Sequence, residues 1–156
     1  MRFVLSFLFY TLVLTTFFQP FIMINILEFR IGNYVLVDNI ARKICVINNH
    51  PQPAQASSIG YQVEEGLEHE VVSSSRVTAV PITDELLTNF GFTFQPHFKL
   101  WRHTRPVRSY SIELDKDYSA LDFAHRPIVK NMQHLHSLQN LFFTVQGEEL
   151  LADRSI

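Results

Sequence analysis

The chain has 156 residues, a formal net charge of −2 at pH 7 and 47% hydrophobic residues. This length suits one domain, and the near-neutral charge gives no overall attraction to nucleic acid or to an anionic membrane. The single cysteine, Cys45, excludes an intramolecular disulfide and a zinc site built from several cysteines. Because Cys45 lies in the apolar run 44–47, we expect a buried structural thiol.

The first 27 residues form a separate apolar segment with three interpretations. Residues 3–27 are long enough to cross a bilayer, as an uncleaved membrane anchor would. A cleaved signal peptide needs small residues before its cleavage site, and residues 19–23 offer none. Translation could instead begin at Met23, after which the composition becomes ordinary. We favour this third interpretation, which predicts a cytoplasmic protein, whereas an anchor predicts a membrane-attached one.

The remaining chain predicts one α+β domain over residues 28–151, followed by a tail at 152–156. Strands are predicted at residues 30–37, 42–47, 61–63, 69–72, 76–80, 98–102, 108–114 and 122–129, with a loop at 48–60. Short strands around the Gly32-Asn33 turn indicate a small antiparallel sheet. The N-terminal half of that sheet could be SH3-like.

Residues 81–91 carry the signals of a short middle helix. Thr83 is the predicted N-cap, and the acids Asp84 and Glu85 favour the positive end of the helix dipole. Gly91 supplies the left-handed residue that ends the helix. The predicted buried side consists of Leu86, Leu87 and Phe90.

A closing amphipathic helix is predicted over residues 130–146. One arc of the helix carries the apolar side chains of Met132, Leu135, Leu138, Leu141, Phe142, Phe143 and Val145. The opposite arc carries Gln133, His136, Ser137, Asn140 and Thr144. Burial of each apolar side chain contributes about 1.5–3 kcal/mol. The helix is therefore predicted to belong to the core rather than to be displayed for another protein's groove, and Gly147 is predicted to end it.

The seven histidines form no recognisable metal motif. His134 and His136 are two positions apart, which is about 200° around a helix, whereas helical metal ligands are three or four positions apart. We therefore expect no metal ion and no other cofactor. His134 is predicted to be a hydrogen-bonded packing residue, and His136 to face solvent or to reach a neighbouring loop.

Gln139 falls inside the apolar arc although its amide needs hydrogen-bond partners. Groups at an exposed strand edge would satisfy the amide, which would then fix how the helix docks. Alternatively, His136, Gln139 and Asn140 contact a ligand or another protein.

The acids Glu148 and Glu149 have no second catalytic group near them. The chain also has no nucleotide-binding or hydrolase motif, so we predict no enzymatic activity.

Residues 99–108 are the one stretch suited to a charged partner. They carry four cations and an indole, with no acid: Lys99, Trp101, Arg102, Arg105 and Arg108. On a β-hairpin these side chains could bind phosphates and stack on a base. The alternative, which the mildly acidic chain favours, is a solvated hairpin whose tryptophan packs on the core.

The chain also resembles a known family. Residues 136–150 (His-Ser-Leu-Gln-Asn-Leu-Phe-Phe-Thr-Val-Gln-Gly-Glu-Glu-Leu) resemble the C-terminal signature of small proteins found in Bacteroidota, their phages and their mobile elements, and residues 30–35 resemble the start of that family. Supporting stretches are residues 81–87, 90–92 and 98–101. The chain departs from the pattern at Ser137, at Gln146 and in a longer basic loop after the tryptophan. The resemblance implies a bacterial or mobile-element setting, favours Met23 as the start and implies no activity.

Together these features predict a non-enzymatic accessory or protein-interaction module with a protein partner, which binds through the closing helix and the adjacent strands. One alternative is a nucleic-acid-associated module that uses residues 99–108. The other is a membrane-anchored domain that depends on residues 1–27.

Overall fold

The computed structural model describes residues 25–49, 57–62, 69–104 and 111–153. These residues form two five-stranded antiparallel sheets, two α-helices and short 3-10 turns. The predicted α+β class and the closing helix are confirmed. The strands are divided between two sheets, whereas the sequence predicted one.

The first sheet has five antiparallel strands. Its strands are β1 (Tyr34–Val37), β2 (Ile40–Asn48), β3 (Ser58–Gln62), β4 (His69–Ser73) and β5 (Val77–Ala79). The spatial order is β4-β3-β2-β1-β5, so the last strand returns to pair with the first. Asp38 and Asn39 connect β1 to β2 with positive φ angles of 50° and 65°, which these two residue types tolerate in a tight hairpin. The loop predicted at 48–60 ends earlier than expected, because β3 begins at Ser58.

The second sheet is a meander in chain order. Its strands are β6 (Phe92–Gln95), β7 (Leu100–His103), β8 (Glu113–Leu114), β9 (Ala120–Leu121) and β10 (Pro127–Val129). The continuous strand predicted at 122–129 is wrong. Asp122 instead closes a turn, because its Oδ1 accepts hydrogen bonds from the backbone N–H groups of Ala124 (2.9 Å) and Arg126 (2.8 Å). Part of the strand predicted at 108–114 lies outside the described residues.

The middle helix, α1 (Asp84–Asn89), has the predicted caps. The Thr83 hydroxyl accepts a hydrogen bond from the Leu86 N–H at 3.1 Å, and Gly91 has a positive φ of 77°. Leu87 and Phe90 are buried, whereas Leu86 is half-buried.

The closing helix, α2 (Leu135–Gln146), begins five residues later than predicted. The preceding residues pair with the chain before α1: the Leu135 N–H bonds to the Val80 carbonyl at 2.8 Å, and the Ile82 N–H bonds to the Gln133 carbonyl at 2.9 Å. This non-local pairing, in which Pro81 lies opposite His134, holds the chain before Leu135 extended despite its helical periodicity. Gly147 ends α2 with a φ of 75°, as predicted.

Two hydrophobic cores lie on either side of β1. Val35 and Val37 pack in the first core with the other strands of the first sheet. Tyr34 and Leu36, on the opposite face of the strand, pack against the second core, which α1, the second sheet and α2 form. The first core also contains Ile26, from the 3-10 turn Ile26–Glu28, although the sequence analysis assigned residues 25–27 to the apolar segment.

Two local expectations are corrected. Cys45 is half-buried rather than buried, because the alternation of β2 directs Ile44 into the core and its neighbour to the other face. The predicted tail begins inside the fold, since Ala152 packs on the second core and the Asp153 N–H bonds to the Asn89 carbonyl at 2.7 Å.

Candidate functional site

The polar residues of α2 face the segment that leads into β1. We refer to this contact, between residues 28–34 and residues 134–149, as the junction. Gln139 is fully buried there. Its Oε1 accepts a hydrogen bond from the Tyr34 N–H at 2.9 Å, and its Nε2 donates to the Gly32 carbonyl at 3.4 Å. Since Tyr34 begins β1, the amide satisfies groups at the end of a strand and docks the helix on it.

A pair of asparagines extends this network. The Asn33 Nδ2 donates to the Asn140 Oδ1 at 3.0 Å, and the Asn140 Nδ2 donates to the Glu28 carbonyl at 2.9 Å. The Asn33 Oδ1 accepts from the Arg30 N–H at 2.8 Å, which closes the turn before β1. Asn33 is fully buried, so both sides of its amide are used inside the fold.

An ion pair borders the junction. The Arg30 guanidinium makes two hydrogen bonds to the Glu149 carboxylate, at 2.6 and 2.9 Å, and lies 4.0 Å from the centre of the Phe143 ring. The bonds from Arg30 hold the pKa of Glu149 below its usual value. Gly32 has a φ of 96°, which favours glycine, and a Cβ there would lie 3.3 Å from the same carboxylate and would push it aside. Glu149 is therefore occupied by a structural contact.

His136 is the least satisfied residue of the junction. Its side chain is 2% exposed, and neither ring nitrogen has a hydrogen-bond partner in the described part of the chain. The edge of Phe29 approaches the ring at 4.8 Å between centroids, and Glu28 lies 3.7 Å from its Nε2. Of the two alternatives predicted for His136, exposure to solvent is wrong, whereas contact with a neighbouring segment is observed, because residues 26–29 fold over this face of α2.

The angle predicted between His134 and His136 does not apply, because His134 is the N-cap of α2 rather than a helical residue. The two rings stack with their centroids 5.6 Å apart and an interplanar angle of 12°. His134 makes no side-chain capping hydrogen bond. Within the described ranges, no group of three histidine, cysteine or acidic side chains is placed to hold a metal ion.

The basic segment is partly used inside the fold. Trp101 is 7% exposed and packs against Phe94 at 5.2 Å between ring centroids, so its face is not free to stack on a base. Arg102 binds the Glu113 carboxylate of the neighbouring strand, at 2.8 Å from Nε and 2.6 Å from its terminal nitrogen. The favoured alternative, in which the tryptophan packs on the core, is therefore confirmed, and the positions of these two residues do not support stacking and phosphate contact.

The other cations of this segment differ in placement. Lys99 is exposed and closes the turn between β6 and β7 with a φ of 53°. The predicted hairpin corresponds to the antiparallel pairing of β7 with β8, in which Trp101 lies opposite Leu114 and Arg102 opposite Glu113, although much of its connection lies outside the described residues. Arg105 and Arg108 lie outside the described residues.

A groove of about 430 Å³ lies between α2 and strands β8 to β10. Leu141 and Val145 form its helical side, and both are half-buried. On the opposite side, Phe123 is 93% exposed and Ile128 is 59% exposed. Large apolar side chains this exposed, beside a concave surface, are typical of interaction sites.

The groove also has a polar cluster. Glu113 accepts from Arg102 through one carboxylate oxygen, and its other oxygen lies 3.6 Å from the Nδ1 of His125. All three side chains line the groove. Because Arg102 and Glu113 are already paired, this wall offers fixed hydrogen-bonding groups without a large net charge.

Sequence reasoning missed the groove and the partners of the helix residues. Phe123 and Ile128 fall in the range predicted as one strand, which hid the turn that exposes them. Arg30 and Asn33 belong to a stretch that carried the family resemblance, as does Gln139. The two most recognisable stretches of the sequence therefore contact each other in the structure.

No protein-family model, curated protein or solved structure matches the chain. No helix in the described residues is long and apolar enough to span a membrane. The predicted anchor falls almost wholly on residues 1–24, which lie outside the described ranges.

Proposed function

We propose that this chain is a non-catalytic accessory module that binds another protein in the groove between α2 and strands β8 to β10. The observation that carries the proposal is the 93% exposure of Phe123 at the mouth of that groove. Water contact with an aromatic ring is unfavourable, and its burial by a protein surface would recover about 1.5–3 kcal/mol. Ile128 adds a second exposed apolar side chain.

The groove favours a protein as the binding partner. Protein interfaces combine an apolar centre with a polar rim, and here the exposed apolar residues border the paired Arg102 and Glu113. A partner segment with apolar side chains would fill the space beside Leu141, while its backbone amides could bond to the Glu113 carboxylate. The resemblance to proteins of Bacteroidota and their mobile elements supplies the setting, and a start at Met23 would place the module in the cytoplasm.

The nucleic-acid alternative loses two of its five residues. Trp101 is buried, and Arg102 is bound to Glu113, which leaves Lys99 as the exposed cation of the described part of residues 99–108. A membrane-anchored module would depend on residues 1–27, and the groove would then serve a partner at the membrane surface.

Affinity purification of the tagged full chain from its native host tests the proposal. We expect a partner that is recovered with the wild-type chain and lost with Phe123→Ser combined with Ile128→Ser. Phe98→Ser is the matched control, because Phe98 is 59% exposed but lies on the β6–β7 turn, outside the groove. Equal recovery by both variants would refute the groove as the site.

A DNA-binding assay tests the nucleic-acid alternative. The proposal predicts no shift of single- or double-stranded DNA by the full chain at low salt. A salt-sensitive shift that Lys99→Ala weakens would favour the nucleic-acid module instead, because phosphate contacts are lost as salt rises.

A further inference from the structure

The buried ring of His136 has no hydrogen-bond partner in the described residues, although buried polar groups normally have one. The ring lies where residues 28–34 meet α2. Its neighbours in that position are an aromatic edge, from Phe29, and a second imidazole, from His134. A neutral imidazole fits this slot as a flat, weakly polar ring, whereas a charged one would be buried against the apolar edge of Phe29.

The groups that face His136 shift its pKa in opposite directions. Burial disfavours its charged form, and a protonated His134 would repel it. Glu28, from the turn Ile26–Glu28, would attract it, but the carboxylate is 3.7 Å away and largely exposed to water. Arg30 and Glu149, the other charged pair at the junction, are bound to each other. Burial is the strongest of these influences, and the pKa of His136 lies below its ordinary value of 6.5.

We propose that His136 makes the junction a proton-sensitive latch, in which the neutral ring holds residues 28–34 on α2 and protonation releases them. A histidine whose pKa is lower in the closed state binds its proton more readily in the open state. The closed junction is therefore fully stable above about pH 6.5 and is weakened progressively as the pH falls below that value.

Release of residues 28–34 from α2 would break two of the hydrogen bonds of the junction. The Tyr34 N–H loses its acceptor on Gln139, and the Asn33 amide loses Asn140. Both contacts join the first sheet to the closing helix, so acidification would loosen one half of the molecule from the other. This inference is independent of the groove, which lies on another face of α2.

Hydrogen exchange at the Tyr34 amide, measured in the full chain, tests the latch. Corrected for the intrinsic rate, the opening equilibrium should increase between about pH 7.5 and 5, approaching tenfold for each unit by which the pKa of His136 lies below 6.5. His136→Phe keeps a flat ring against Phe29 and should remove this dependence. His97→Phe, at an exposed histidine, should leave it unchanged.

Two further measurements keep the test decisive if His136→Phe fails to fold. The ring of His136, followed by NMR in the wild-type chain, should titrate below 6.5. Glu28→Gln removes the attracting carboxylate and should make the Tyr34 opening more dependent on pH. Titration of His136 at or above 6.5, or a smaller pH dependence in Glu28→Gln, would overturn the latch.

Discussion

Helix α2 takes part in the junction with one face and in the groove with another, and the two faces differ in how their side chains are satisfied. At the junction, Gln139 and Asn140 bond to the chain before β1. At the groove, Phe123 and Ile128 are exposed to water beside Leu141 and Val145. The recognisable polar residues are therefore used to assemble the fold, whereas the two exposed apolar residues of the groove, Phe123 and Ile128, lie outside the recognisable stretches.

The largest effect that separates the two faces is expected from Gln139→Ala. The change leaves the Tyr34 N–H and the Gly32 carbonyl without their partner and opens a cavity in a fully buried site. We expect a loss of about 3 kcal/mol in the free energy of unfolding, measured by urea denaturation. Gln133→Ala, at an exposed position two residues before α2, should cost less than about 0.5 kcal/mol. Similar losses in both variants would show that Gln139 does not dock the helix.

The next effect concerns the coupling between Asn33 and Asn140. Their side chains bond directly at 3.0 Å, so the two alanine substitutions should not be additive. A double-mutant cycle on urea denaturation should give a coupling energy of about 1 kcal/mol. A cycle between Asn33 and Gln133, which is exposed, should give a value near zero. Additive losses for the first pair would mean that the hydrogen bond adds nothing to docking.

Capping and stop residues in the sequence were sufficient to predict those helix ends that depend only on residues nearby in the chain. The Thr83 cap and the Gly91 stop of α1 were predicted correctly because both act within one helical turn. The stop of α2 at Gly147 is of the same kind. The start of α2 was not predicted, because it depends on pairing between Leu135 and Val80, which are far apart in sequence.

The candidate site was predictable only in part, for the same reason. The need of Gln139 for hydrogen-bond partners could be read from its place in an apolar arc, but the partners themselves are Tyr34 and Gly32, more than a hundred residues away. The exposure of Phe123 depends on a turn that Asp122 closes within a range whose composition predicted a strand.

Glu149→Gln, at the border of the junction, is expected to lower the free energy of unfolding by less than Gln139→Ala does. Arg30 lowers the pKa of Glu149, so the ion pair stabilises the fold above about pH 4.5 and this contribution is lost as the pH falls below that value. Because both side chains are partly exposed, we expect a cost of about 0.5–1 kcal/mol at pH 7. Urea denaturation at pH 7 and about pH 3 should show the variant and the wild type converging at the lower pH. A difference that persists there would assign the cost to packing rather than charge.

The smallest effect on stability is expected at the groove. Phe123→Ser removes a ring that is 93% exposed and packs little within the fold, so the free energy of unfolding should change by less than about 0.5 kcal/mol. The same substitution, combined with Ile128→Ser, is expected to abolish partner recovery. Thermal unfolding and affinity purification of the same variants would thus separate binding from folding, which the junction substitutions cannot do. A destabilisation as large as that of Gln139→Ala would show that Phe123 is a packing residue and that the groove is closed in solution.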